Sequence, residues 1–567
     1  MQSNESKTDG AAARGPDPDF AIGNPRFPGD LAEVSRRDGA LAAWRMAFRK
    51  LGTDAAAQVG GDYAVALTGD DGSVFLAVDR FAIRSLCYSV QGGCIRFAER
   101  ADQLAAESRD IDPQALFDYL YFHVVPSPRT VFRGVARLQP GHSAHFQGGT
   151  LKVWRHWTPV FSEPARPDFA ALKAEFLERL EDAVRTRATG SVGCFLSGGT
   201  DSSTVAGMLG RVGGRAARTF SIGFDAQGYD EMEFSRIAAR HFGTDHNEYY
   251  ITPDDLVASI PKAAASYDQP FGNSSMVPAY YCALMARDKG VDHMFGGDGG
   301  DELFGGNTRY AKQRVFGVYD GVPRALRRGL FEPLLADNPL ADRLPLVRKA
   351  ASYVRQARVP MPDRMQSYNL LGRLGIADAL TPQFLHEVNA DAPLTHQRAV
   401  YAECPADALV NRMLAFDWRY TLGEIDLPKV VGATRLAGLP VDFPLLDDGL
   451  VDFSLRLPAS YKVRGLKLRW FFKEALRGFL PDEIITKKKQ GFGLPFGPWA
   501  AQHAALFNLA ADSVRGLAAR GVLREAFAEN LLSVRLHEHP GYYGEMIWIS
   551  MMLEQWLREH SPDLRFR

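Results

Sequence analysis

Ser197-Gly198-Gly199-Thr200-Asp201-Ser202-Ser203 closes the apolar run Ser191-Val192-Gly193-Cys194-Phe195-Leu196 and opens a second one from Thr204 to Leu209. The pattern predicts a strand, a glycine-rich turn and a helix, which is the geometry that turns backbone N–H groups and the positive end of a helix dipole toward a phosphate. The two glycines let the main chain come close, the serines bring hydroxyl donors, and Asp201 brings a carboxylate for magnesium travelling with a polyphosphate. No lysine follows the second glycine and the glycines are adjacent, so this is not the G-x-x-x-x-G-K-S/T loop.

Composition bounds the rest. A chain of 567 residues is expected to hold two or more domains. With 46% hydrophobic and 23% charged residues it reads as an ordinary globular protein, and no uninterrupted apolar stretch would cross a bilayer. Met1 to Asp19 is polar and lacks the apolar centre of a secretory signal, so it is expected to be a disordered extension of a cytoplasmic protein. A net charge of −1 removes the footprint of a general nucleic-acid binder, and Lys487-Lys488-Lys489 is too short to restore it. Cys87, Cys94, Cys194, Cys282 and Cys404 stand in apolar surroundings without C-x-x-C spacing and are expected to be reduced core cysteines.

The chain divides near residue 160. Before it, Asp62 to Leu67, Ser73 to Val78 and Gly93 to Phe97 are short alternating segments between Gly and Asp turns, as in antiparallel β structure with a few helices. After it, strands at Gly193–Leu196, Thr219–Phe224, Glu248–Ile251 and Asp292–Phe295 alternate with helical patterns such as Glu231–Phe242 and Met276–Lys289. That alternation predicts βαβ units and a mostly parallel sheet. From about Val315 the pattern is largely helical.

In such a sheet a ligand binds beyond the carboxyl ends of the strands. Ser221-Ile222-Gly223-Phe224 ends one strand as a small apolar shelf suited to a purine. Another ends in Phe295-Gly296-Gly297-Asp298-Gly299-Gly300-Asp301-Glu302-Leu303-Phe304-Gly305-Gly306, where six glycines surround three acids. So flexible and acidic a loop points to a bound cation.

The first loop resembles the pyrophosphate loop of N-type ATP pyrophosphatases, and the set resembles the asparagine synthetase family, which includes β-lactam, carbapenam and lasso-peptide cyclising enzymes. The resemblance runs from about Gly60 almost to the C-terminus. It implies an N-terminal Ntn-hydrolase-like α+β sandwich (20–160) after the extension (1–19). A PP-loop parallel-sheet α/β synthetase domain with a helical C-terminal part would follow (161–567). By resemblance, Ser197, Gly198, Gly199, Asp201, Ser202 and Ser203 would hold the ATP pyrophosphate, with Thr200 in place of the usual leucine. Ile222 and Gly223 match the adenine shelf, and Gly296 and Gly297 a second nucleotide loop. Asp201 and Asp301 match magnesium ligands, and Asp298 stands where many members carry a glutamate facing the reacting centre.

Downstream, Val441-Asp442-Phe443-Pro444-Leu445-Leu446-Asp447 resembles V-R-x-P-F-L-D, with Asp442 in the arginine position. Lys487-Lys488-Lys489-Gln490-Gly491-Phe492-Gly493-Leu494-Pro495 resembles K-x-G-F-G-x-P, which makes Lys489 the matching catalytic lysine, and Trp548 to Leu557 resembles the closing helix. The implied chemistry is ATP- and Mg2+-dependent. A carboxylate attacks the α-phosphate, pyrophosphate leaves, and an amine or ammonia displaces AMP.

The amino-terminal half departs from the family. Complete synthetases begin with a cysteine after the initiator methionine, an N-terminal nucleophile. Here residue 2 is Gln2, the first cysteine is Cys87, and no N-G-E-I-Y-N segment is present. The expectation is a glutaminase-like domain without activity, in which Asp79 and Arg80 stabilise the sheet. Nitrogen would then come from ammonia, from a separate ammonia donor, or from an amine of the substrate. The candidate products are a small-molecule amide, a peptide macrocycle made with a precursor-delivery partner, or an amidated cell-surface polysaccharide; a catalytically silent homologue is the competing class, and a homodimer is the candidate assembly. Against a small-molecule cyclase, the segment Asn307 to Tyr368 shows no convincing Tyr–Glu pair of the kind β-lactam synthetases use; Tyr310, Tyr319, Tyr353 and Tyr368 are candidates only in lying in that region. Tyr267-Asp268-Gln269-Pro270-Phe271-Gly272-Asn273-Ser274-Ser275 resembles D-E-P-F-x-D-S-S, with Gln269 and Asn273 replacing acids that would face a carboxylate substrate.

Overall fold

A computed structural model describes residues 17–105, 109–338, 345–404, 406–488 and 493–566. The amino-terminal strands are β1 (Phe20–Arg26), β2 (Gly60–Thr68), β3 (Val74–Val78), β4 (Cys87–Gln91), β5 (Cys94–Ala98), β6 (Val135–Arg137), β7 (His142–Gln147) and β8 (Thr150–Arg155). They form an antiparallel five-stranded sheet, β1-β2-β3-β7-β8, and a three-stranded sheet, β5-β4-β6.

β2 explains the layering. Successive strand side chains point to opposite faces. Tyr63, Val65 and Leu67 pack with Trp44 and Ala47 of the helix Ala40–Leu51, while Ala64 and Ala66 pack with Leu86 and Phe97 on the side of the second sheet. Helix, sheet and sheet thus stack in layers. Both faces of β2 are buried, so the alternation expected of Asp62 to Leu67 as a half-exposed strand gives way to a strand packed on both sides.

The second five-stranded sheet is all parallel, in the order β11 (Asp245–Ile251), β10 (Arg218–Phe224), β9 (Val192–Phe195), β12 (His293–Phe295), β13 (Val441–Asp442). Chain order runs outward from β9 to β11, then returns to the far side of β9 with β12. The boundary between β9 and β12 is therefore the switch point where loops splay apart and leave a crevice. β13, two residues at the sheet edge, falls in a stretch whose sequence shows no strand period. The helical part ends in Pro540–His560, which is buried on almost every side.

The two halves are joined by polar contacts. Asp79 is buried and accepts hydrogen bonds from the backbone N–H groups of Tyr63 and Phe81, a structural role, while Arg80 pairs with Asp452 at 2.7 Å across the interface. Arg26 pairs with Asp447 (2.5 Å) and Asp448 (2.8 Å). Asp442 accepts from Asn24 Nδ2 at 2.9 Å, so it faces the amino-terminal domain. Trp548 Nε1 donates to the Gly272 carbonyl and Tyr119 Oη to the Ile549 carbonyl, which ties the last helix to both halves. Of the cysteines expected in the core, Cys87, Cys194 and Cys282 are buried, but Cys94 is exposed and Cys404 partly exposed. Among the described residues no helix is long and apolar enough to cross a membrane.

Candidate functional site

The crevice beyond β9 and β12 is a cavity of about 890 Å³, at the upper end of ordinary ligand pockets. One wall is the turn after β9 and the helix Thr200–Gly213. Gly198 has a φ of 68°, and a Cβ there would lie 2.4 Å from the Phe234 carbonyl carbon, so only glycine lets this turn nest against the helix Met232–Phe242. Ser202 Oγ accepts from Ser197 N–H at 3.2 Å and lies 3.0 Å from Ser197 Oγ, closing the turn on itself. Asp201, in the first helical turn, projects into the cavity.

The opposite wall is the loop after β12 and the helix Gly300–Phe304. It approaches the first wall closely because side chains are missing: a Cβ at Gly300 would lie 2.3 Å from Asp201 Oδ1, and one at Gly297 would lie 2.7 Å from Ser202 N. Gly300→Ala is therefore expected to push the Asp201 carboxylate out of place and, on the sequence expectation that this cavity takes ATP, to weaken binding of a non-cleavable ATP analogue roughly tenfold or more, read by titration calorimetry.

Asp201 and Asp301 meet on one cation. Arg469 Nη1 lies 2.5 Å and 2.7 Å from the two oxygens of Asp201 and 2.9 Å from Asp301 Oδ1. Deeper in, Lys429 Nζ lies 3.5 Å from Asp298 Oδ1 and 3.0 Å from Asp426 Oδ1. Burial pushes the Asp298 carboxyl above the usual range and Lys429 pulls it back; although burial opposes its charge, Lys429 is held strongly protonated by Asp426 and Asp298. Burial and the neighbouring Arg469 lower Lys473. At the rim, Lys487 Nζ pairs with Glu231 Oε1 at 3.1 Å and sits over the Phe234 ring.

Of the residues singled out from the sequence, Ser197, Gly199, Asp201, Ser202, Ile222, Gly297, Asp298 and Asp301 line this cavity. Gly198, Ser203, Gly223 and Gly296 stand behind its wall: Ser203 is fully buried, and the absent side chain of Gly223 makes room for the Tyr250 ring. Lys489 lies outside the described residues, although Lys487 and Lys488 line the rim. Gln269 requires a correction. It does not face the cavity but is buried at the domain interface, where its Oε1 accepts from the Val131 N–H; of the two replaced acids only Asn273 lines the site. Tyr310 is buried against Asp417, Tyr319 meets Glu332, Tyr353 the Val315 carbonyl and Tyr368 Gln356, and none lines the cavity.

Arg469, Lys429 and Asp426 were not legible as site residues. Asp426 and Lys429 read as an ordinary i,i+3 surface pair, and Arg469 belongs to no short motif. As for magnesium, the donor set suits an ion carried in on phosphates, which magnesium completes with one or two carboxylates. Asp201 and Asp301 supply that much, and no cluster of three or more metal-binding side chains occurs among the described residues.

An asparagine synthase family model matches residues 175–558, more than half of the chain. The chain belongs to the asparagine synthase family. A glutamine amidotransferase domain model matches residues 44–157, a span that excludes β1. The chain is similar to a putative glutamine-hydrolyzing asparagine synthetase of Mycobacterium bovis, 28% identical over 484 residues, 82% of this chain and 72% of that protein. It is also similar to a glutamine-hydrolyzing asparagine synthetase of Bacillus subtilis, 25% identical over 80% of this chain and 70% of that one. A putative asparagine synthetase of Methanocaldococcus jannaschii is 32% identical over 49% of this chain and 56% of its own.

Proposed function

We propose that this protein is an ATP-dependent carbon–nitrogen ligase that adenylates a carboxylate and passes the acyl group to an amine or to ammonia. The observation that carries this reading is the meeting of Asp201 and Asp301 over one cavity, at the switch point between β9 and β12, with the Lys429–Asp298 pair beside them. The turn 197–203 would grip the pyrophosphate with its N–H groups and hydroxyls and take charge developing on the leaving group. Magnesium held by Asp201 and Asp301 would neutralise the phosphates as a Lewis acid. Ile222 would lie against the purine. Lys489, from the segment following Lys487 and Lys488, would steady the charge on the α-phosphate and then on the tetrahedral intermediate. Asp298, pushed up by burial and positioned by Lys429, suits taking the proton that the attacking amine must lose.

The amino-terminal domain is proposed to be inactive as a glutaminase. β1 carries no cysteine, and the Cys87 thiol, pushed up by burial, is packed in the core where a reactive thiolate is unfavourable. Ammonia or a substrate amine, but not glutamine, is therefore expected to support turnover by the purified chain; glutamine-driven turnover would reverse this assignment.

The test of the whole reading uses a panel of amino acids, acidic sugars and peptides with hydroxylamine as the nucleophile. The expected products are a hydroxamate, AMP and pyrophosphate in equal amounts. ADP and phosphate, or no nucleotide cleavage with any acid, would reject it.

A further inference from the structure

The point where Asp201 and Asp301 converge already holds a cation. Nη1 of Arg469 is within 2.9 Å of three carboxylate oxygens, two from Asp201 and one from Asp301. Magnesium binds carboxylate oxygen at about 2.0–2.1 Å, so an ion bridging the same oxygens and this nitrogen cannot occupy the space together. The arginine is also built in. Its backbone is left-handed, with φ 51°, its N–H donates to the Gly305 carbonyl at 3.2 Å, and its carbonyl accepts from Lys473 N–H at 2.9 Å. Its Cδ runs through the notch left by Gly306, where a Cβ would lie 2.9 Å away, and its guanidinium sits over the Phe472 ring. The side chain is only 8% exposed. Swinging it away would strand a buried guanidinium, and a guanidinium does not escape by losing its proton.

We propose that Arg469 is a resident cation filling the position between the two carboxylates that a divalent ion could otherwise bridge, so that nucleotide enters with a single metal ion. This rests on the ATP-site reading above. In that arrangement Arg469 is a positioning residue: it keeps the two carboxylates together before nucleotide arrives, and the ion brought by the phosphates meets the pair from the cavity side. A fixed monovalent charge also lets the empty pair stand without capturing free divalent ions.

Manganese and α,β-methylene-ATP provide the test, with bound Mn2+ counted from the loss of the free-ion EPR signal and nucleotide binding measured separately by calorimetry. The wild-type protein is expected to hold one Mn2+ per bound nucleotide and none without nucleotide. Arg469→Met, close in length but uncharged, is expected to hold two per nucleotide and to capture Mn2+ alone. Arg469→Lys keeps a charge and should stay at one. Two ions per nucleotide in the wild type, or an unchanged count in Arg469→Met, would overturn the proposal; should Arg469→Met not fold, the wild-type count still decides. Failure of the analogue to bind the wild type strikes the nucleotide-site reading instead, and the nucleotide-free Mn2+ comparison still decides the role of Arg469.

Discussion

Asp201→Asn is expected to lower ATP–pyrophosphate exchange by about 10²- to 10³-fold, equivalent to roughly 3–4 kcal/mol of transition-state stabilisation. The carboxylate stands in the first turn of the helix Thr200–Gly213 and is one of two that converge on Arg469. Asparagine has nearly the same shape but no charge, so the metal-bearing nucleotide loses a ligand while the helix, the turn and the Arg469–Asp301 contact remain. Arg469 keeps Asp301 as a charged partner, so the variant is expected to stay folded at assay temperature, and thermal unfolding separates a chemical loss from a folding loss. Exchange at the wild-type rate would remove Asp201 from the proposed machinery.

Glu424→Ala is expected to destabilise the protein by about 3–5 kcal/mol, because removing one partner of a buried ion cluster leaves the others uncompensated. Glu424 is buried, pairs with Arg137 of β6 and with Arg419, and accepts from the Ser127 hydroxyl at 2.7 Å. The cluster joins the amino-terminal domain to the synthetase half. Burial raises the Glu424 carboxyl, but Arg137 and Arg419 outweigh it and hold the group at about 2, against an ordinary value of 4.5. The folded value lies below the unfolded one, so the stabilisation is present above about pH 4.5 and is lost as the pH falls toward 2. Denaturant unfolding between pH 6 and 3 should show the wild type losing stability across this window, and Glu424→Gln, with no proton to gain, losing less. Parallel slopes for the two proteins would contradict the assignment.

The parts of the fold and site visible in the sequence were those encoded locally. β9 and β12 are short apolar runs ending in glycine-rich turns, and their loops carry the acids and hydroxyls beside those turns, so strand, loop and candidate ligand were read together. What remained hidden depends on distance along the chain. Arg469 reaches Asp201 over a separation of 268 residues and Lys429 reaches Asp298 over 131; neither pairing leaves a local pattern. Gln269 shows the opposite error: a position in a recognisable loop was read as facing substrate, whereas its side chain satisfies a backbone N–H at the domain interface. β13 is a strand only because β12 lies beside it.

Transfer of oxygen from the substrate carboxylate to AMP tests the central claim most directly. With a carboxylate that supports turnover, labelled with ¹⁸O, mass spectrometry of the products is expected to show one ¹⁸O in AMP and none in pyrophosphate. Label in inorganic phosphate, or unlabelled AMP, would contradict adenylation at this site.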